Sequence, residues 1–139
     1  MFGPKRQAGL IAHPLPLWHA RRVAHHIDSH LAQSIKISHL ARLAGCSNSH
    51  FHRAFRRRFG LTPHRYITNR RMEAAQCMLL ETNYSLSRIA LSCGMSDQAH
   101  FTRLFRQRIG MSPRRWRTAQ RRILAGWLFV LLGLEAITN

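Results

Sequence analysis

Two arginines sit in nearly identical surroundings, Arg53 in HFHRAF and Arg103 in HFTRLF. A guanidinium is a planar fork of donors. It can meet both major-groove acceptors of a guanine at once, or clasp a phosphate. Ser49 and His52 lie beside the first arginine, and Gln98 and His100 beside the second. Arg56, Arg57 and Arg106 follow about one helical turn later. Other chemistries find little support. The five acidic residues are scattered, and no Gly-rich phosphate loop or nucleophile motif appears, so no catalytic residue is expected. His26 and His30 stand four apart, a two-ligand spacing. No third ligand is near in sequence and Asp28 falls on another face, so neither a metal nor a cofactor is expected.

The charge balance points the same way. Lys and Arg number 22 against 5 Asp and Glu, a formal net charge of +17. Such a field draws polyanions, nucleic acid foremost, and leaves a ribosomal RNA site or a membrane surface open. The only lysines are Lys5 and Lys36. The arginine bias suits phosphates and guanine edges, though GC-rich coding would also produce it.

The elements that must position these residues read as all-α. Residues 1–18, with Pro4, Pro14 and Pro16, read as a flexible arm. Val23, Ile27 and Leu31 start a helical pattern. A second helix is expected behind Ser38 as N-cap, and a third behind Ser47, ending at Gly60. Thr62-Pro63 opens a long helix to about Glu81, since a capping hydroxyl followed by proline is a strong start signal. A short helix ending at Gly94 follows. Another is expected behind Ser96, ending at Gly110, and Ser112-Pro113 opens a last basic helix. The expected organisation is about seven helices in a domain over 19–122. Its two units, about 19–62 and 82–122, are joined by a linker helix over 63–81. A C-terminal apolar extension, 123–139, is a possible further helix.

The two halves repeat each other. ISHLARLAGCSNSHFHRAFRRRFGLTP, residues 37–63, matches LSRIALSCGMSDQAHFTRLFRQRIGMSP, residues 86–113, with one extra residue placed after Asp97. Identities fall on core, turn and surface positions together. Each copy has what a helix-turn-helix requires. A small residue (Ala41, Ala90) permits a close helix crossing. A glycine (Gly45, Gly94) takes the turn, and a capping serine (Ser47, Ser96) starts the second helix.

Helical spacing separates core from surface. Phe51, Ala54, Phe55 and Phe59 share one side of the first reading helix, and Phe101, Leu104, Phe105 and Ile109 one side of the second. The base-contact candidates are Ser49, His52, Arg53, Gln98, His100 and Arg103, near the N-terminal ends of those helices. The phosphate-contact candidates are Ser47, His50, Arg56, Arg57, Ser96, Thr102 and Arg106. For the arginines a solvated face or a phosphate clamp is the competing reading. For Ser47 and Ser96, capping comes first, with helix N–H groups still able to meet a phosphate.

The block GMSDQAHFTRLFRQRIGMSPRRWR, residues 94–117, resembles the signature of the AraC/XylS family of bacterial transcription regulators, and the resemblance covers about residues 20–120. It implies seven helices and two helix-turn-helix units joined by a rigid central helix. It also implies that each unit's second helix enters a major groove, with base contacts at the candidate positions above. The expected function is therefore sequence-specific reading of double-stranded promoter DNA by an activator-type regulator, with RNA polymerase as a further partner and a cytoplasmic, nucleoid-associated location. An RNA- or ribosome-associated basic protein is the alternative. About 18 residues precede the match, which resembles the short single-domain activators or else a truncated frame.

Cys46, Cys77 and Cys93 are widely spaced and read as reduced, mostly buried thiols. No run reaches the roughly 18–20 apolar residues that span a bilayer, and no membrane association is expected. Residues 123–134 are nonetheless apolar throughout. An extra helix folded onto the domain, a contact with a partner or self-association through 123–134, and an out-of-frame or non-native extension are the readings of that stretch.

Overall fold

Among the described residues seven helices form, most of them where the caps and the apolar spacing direct them. The computed structural model describes residues 13–135. The helices are α1 (Leu17–Ser29), α2 (Ile37–Leu43), α3 (Asn48–Phe59), α4 (Pro63–Glu81), α5 (Leu86–Ser92), α6 (Gln98–Ile109) and α7 (Pro113–Glu135). No strand occurs among the described residues. Chain packing divides these into a first unit, to His30 and again over Ser34–Asn69, and a second unit, Leu31–Gln33 with the chain from Arg70 onward.

In the first unit α1 starts at Leu17, two residues inside the expected arm. The arm is also fastened: Leu15 is buried, its N–H donates to the Ala54 carbonyl, and its own carbonyl accepts from Arg58 Nε at 2.7 Å. Residues 1–12 of the expected arm lie outside the described residues. α2 has Lys36 at its N-cap position with no side-chain cap, so Ser38 lies within the helix rather than before it. The core gathers Val23, Ile27, Leu40, Phe51 and Phe55, all fully buried. Phe55 meets Tyr66 edge-on at 5.4 Å.

The second unit repeats this plan. Leu79, Ile89, Ala90, Phe101 and Phe105 are fully buried, and Phe105 meets Trp116 edge-on at 5.7 Å. Gly94 is the tight point. Its φ is +72°, and an added Cβ would lie 2.1 Å from the Leu31 carbonyl oxygen. Of the cysteines only Cys93 is buried, where burial pushes its thiol pKa to about 11; Cys46 is half-buried and Cys77 exposed. All three are free.

The expected C-terminal helix is not a separate element. α7 continues without a break through the apolar stretch. Trp116 is the last of its residues in the core, and every residue from Arg122 to Gly133 is exposed. Residues 123–133 therefore do not fold onto the other described residues.

Candidate nucleic-acid interface

Each reading helix starts at a side-chain cap and buries its phenylalanines, which fixes what faces outward. On α3 the Ser47 hydroxyl accepts from the His50 N–H at 3.3 Å. Phe51, Ala54 and Phe55 turn inward, and Ser49, His52, Arg53, Arg56 and Arg57 are exposed. His50 is half-buried. On α6 Phe101 and Phe105 turn inward, and Gln98, Arg103 and Arg106 are exposed, with His100 and Thr102 half-buried. Arg53 and Arg103 thus occupy equivalent outward positions.

The start of α6 corrects the sequence reading. Its cap is Asp97, which accepts from the His100 N–H at 2.7 Å; Ser96 is not the cap. The Ser96 hydroxyl bonds Asp97 Oδ2 and His100 Nδ1, both at 3.2 Å. The turn from Gly94 is one residue longer than that from Gly45, so the extra residue precedes Asp97 rather than following it. The His100 N–H first, with the Ser96 hydroxyl and the Ala99 N–H adding to it, holds the Asp97 carboxyl below its usual pKa against the opposing effect of desolvation. A carboxylate thus already satisfies the N–H groups that were expected to be open to a phosphate.

One contact and one hollow shape the α6 surface. Ser87 Oγ donates to Gln98 Oε1 at 2.7 Å, fixing that amide from α5. Gln98, Ala99, Thr102, Arg103, Arg106 and Gln107 then line one open hollow of about 620 Å³. Gln107 was not among the sequence candidates. Its outward position, four residues after Arg103, was the available signal.

Several arginines that sequence reasoning left as generic charge have structural work. Arg71 donates to the Leu31 and Gln33 carbonyls at 3.1 and 2.8 Å. Arg121 bonds the carbonyls of Leu79, Leu80 and Thr82 and the Asn83 side chain, and Arg117 bonds those of Leu79 and Tyr84. Arg71 thus satisfies carbonyls of the segment after α1, and Arg117 and Arg121 those at the end of α4 and in the turn that follows it. The signal was present, because the repeat runs past Pro63 and Pro113. Arg65/Arg115, Tyr66/Trp116, Thr68/Thr118 and Arg71/Arg121 keep the same offset.

The histidine pair gains a third ring. His26 stacks on His30 at 4.1 Å and lies 4.7 Å from His39 of α2. His30 Nδ1 donates to the His26 carbonyl at 2.7 Å. Among the described residues no group of three such side chains is placed to hold a metal. Burial, then the charges of His30, His39 and His25, lowers the His26 pKa from its ordinary 6.5. The fold therefore favours the neutral ring. That stabilisation is present above the unfolded value and is lost as pH falls through and below it. The melting temperature should drop between about pH 7.5 and about pH 5.5, and His26→Gln should flatten part of that drop. Parallel melting curves for parent and variant across that range would remove His26 from the account.

The arrangement has known counterparts. A helix-turn-helix domain family matches residues 40–119. The probable transcriptional regulator LumQ of Photobacterium leiognathi is 34% identical over 77 residues, 55% of this chain and 31% of that protein's length. The chain thus spans about a third of the length of that curated relative. Among solved structures, the DNA-binding domain of AdpA, a global transcriptional factor in complex with a target DNA, is similar with a TM-score of 0.70 and 29% identity, covering 74% of this chain and 93% of that one. A transcriptional regulator from Chromobacterium violaceum with an AraC-type DNA-binding domain gives 0.68 and 26%, covering 74% and 91%. Two capped helix-turn-helix units in series and a family match over more than half of its residues establish that this chain belongs to the AraC-type helix-turn-helix family.

Proposed function

We propose that this protein is a non-enzymatic transcription regulator that reads double-stranded promoter DNA with α3 and α6. The observation that carries the reading is the exposed pair Arg53 and Arg103, on equivalent turns of two helices that fully bury Phe51 and Phe55, and Phe101 and Phe105, on their opposite faces. Ser49, His52, Gln98 and His100 supply the neighbouring base contacts. Ser47, His50, Arg56, Arg57, Thr102 and Arg106 hold phosphates, and Ser96 acts mainly by orienting His100. The likeness to a DNA-bound AdpA domain supports the choice of duplex DNA. The further partners in this reading are RNA polymerase and, through 123–134, a second copy of the chain. Its location is the cytoplasm, on the nucleoid. Because the two helices present different side chains, one copy reads a non-palindromic site whose halves lie about 10 bp apart.

Selection from random duplexes followed by a salt titration tests this. With roughly six to ten phosphates contacted, log affinity should fall against log salt with a slope of about −5 to −9. A slope near zero overturns the reading. So does tighter binding to duplex RNA, whose major groove is too narrow for these helices.

A further inference from the structure

Among the described residues, nothing covers the apolar end of α7. Ile123, Leu124, Trp127, Leu128, Val130, Leu131 and Leu132 are each more than half exposed, and Phe129 is 80% exposed. A helix apolar on every side is stable only when other groups surround it. Arg117 and Arg121 tie the preceding turns of α7 to the end of α4, so the apolar turns are aimed away from the second unit's core.

We infer that two copies of this chain pair antiparallel through the apolar end of α7. The available area suits a protein partner. The side that pairs, with Leu124, Trp127, Leu128 and Leu131 each more than half exposed and Ile123 and Leu132 at its edges, offers an area of the order that the smaller specific interfaces bury, about 600 Å² from each partner. Helical rotation puts Leu124, Trp127, Leu128 and Leu131 on one broad side, with Gly126 and Gly133 on the other. That broad side fits its own copy, with Leu124 opposite Leu131 and Trp127 beside Leu128. Parallel pairing would set the exposed Arg122 of one copy against that of the other and align the helix dipoles; antiparallel pairing does neither.

A bilayer is the weaker occupant. Residues 123–134 extend about 18 Å, well short of the ~30 Å hydrocarbon core. End-on insertion would carry the last carbonyls of the helix into hydrocarbon without partners. A flat orientation needs a polar side, which the stretch lacks.

This sharpens the self-association in the proposed function, and its sedimentation and cross-linking tests need no DNA. Sedimentation of the full chain across the micromolar range should show a dimer. Leu128→Glu should weaken dimerisation at least tenfold while leaving the melting of the monomer unchanged, because Leu128 touches no core. A parent protein monomeric throughout overturns the inference, whether the helix is then bare or covered by its own chain. For orientation, in a Cys77→Ser background, Leu124→Cys and Leu131→Cys proteins should form disulfide-linked pairs when mixed. Efficient linkage of Leu124→Cys protein to itself overturns the antiparallel arrangement. Leu128→Glu should keep its affinity for a single duplex site and lose cooperativity on two inverted sites. A parent that dimerises yet binds no duplex defeats the DNA reading alone.

Discussion

Gly94→Ala should destabilise the protein by about 4 kcal/mol or more, while Gly45→Ala should cost only about 1 kcal/mol. The two glycines hold equivalent turns, at φ +72° and +65°, so the penalty for a left-handed alanine is shared. Their surroundings differ. A Cβ on Gly45 would meet nothing within 4 Å. On Gly94 it would lie 2.1 Å from the Leu31 carbonyl oxygen and 2.8 Å from Arg71 Cζ. Backbone cannot yield as a side-chain tip can. Moving the Leu31 carbonyl also disturbs the charged hydrogen bond that Arg71 makes to it, an interaction of about 1.5–3 kcal/mol. Against a total stability of about 5–15 kcal/mol, that threatens the fold. Urea unfolding of both variants measures the contrast. Equal losses would mean that the crowding around Gly94 is relieved by movement that the packing gives no room for.

Arg103→Ala should weaken the selected duplex site and flatten the preference at one or two base pairs of one half-site. Arg53→Ala should do the same in the other half. A bidentate arginine–guanine contact discriminates by about 1–3 kcal/mol, roughly tenfold to a hundredfold. Arg106 stands three residues later on the same exposed side, where a docked helix leaves the groove floor. Arg106→Ala should weaken all duplexes alike and make the salt slope shallower by about one unit. Each variant is measured against a panel of single-base-pair substitutions. If Arg53→Ala and Arg103→Ala lower affinity evenly and leave base preferences intact, both are phosphate clamps. Readout then passes to Ser49, His52, Gln98 and His100 or to DNA shape.

Much of this was legible because the signals are local. A hydroxyl followed by proline placed the start of α4 at Pro63, and Gly60 and Gly110 ended α3 and α6. The repeat placed Arg53 and Arg103 on matching turns. What escaped was tertiary. Ser38 has capping chemistry, yet Ile37 already belongs to α2, so a good cap residue sits inside the helix. Ser96 and Asp97 are both good caps. The choice between them depended on the length of the turn from Gly94, which a sequence alignment can shift by one residue without penalty. His39 joins His26 only through the packing of α2 on α1. The apolar run after Arg122 reads as core by composition. Only the direction of α7, set by Arg117 and Arg121, leaves it outside.

The twofold repeat suggests interchangeable cassettes, each cut at the ends of its own sequence copy. The path of the chain contradicts that picture. Leu31–Gln33 lie in sequence between α1 and α2, yet they belong by packing to the second unit, where the Leu31 and Gln33 carbonyls receive Arg71 and the Leu31 carbonyl lies against Gly94. The second copy is therefore not self-sufficient. Transplanted as residues 70–135 alone, it leaves the Arg71 guanidinium without its two acceptors and opens the turn that sets the direction of α6. The first copy carries no such loan, since Gly45 faces open space. The duplication is thus symmetrical in its text and asymmetrical in its dependencies: a new specificity can be installed by changing side chains on α6 in place, but not by moving the second module without the three residues that travel ahead of the first.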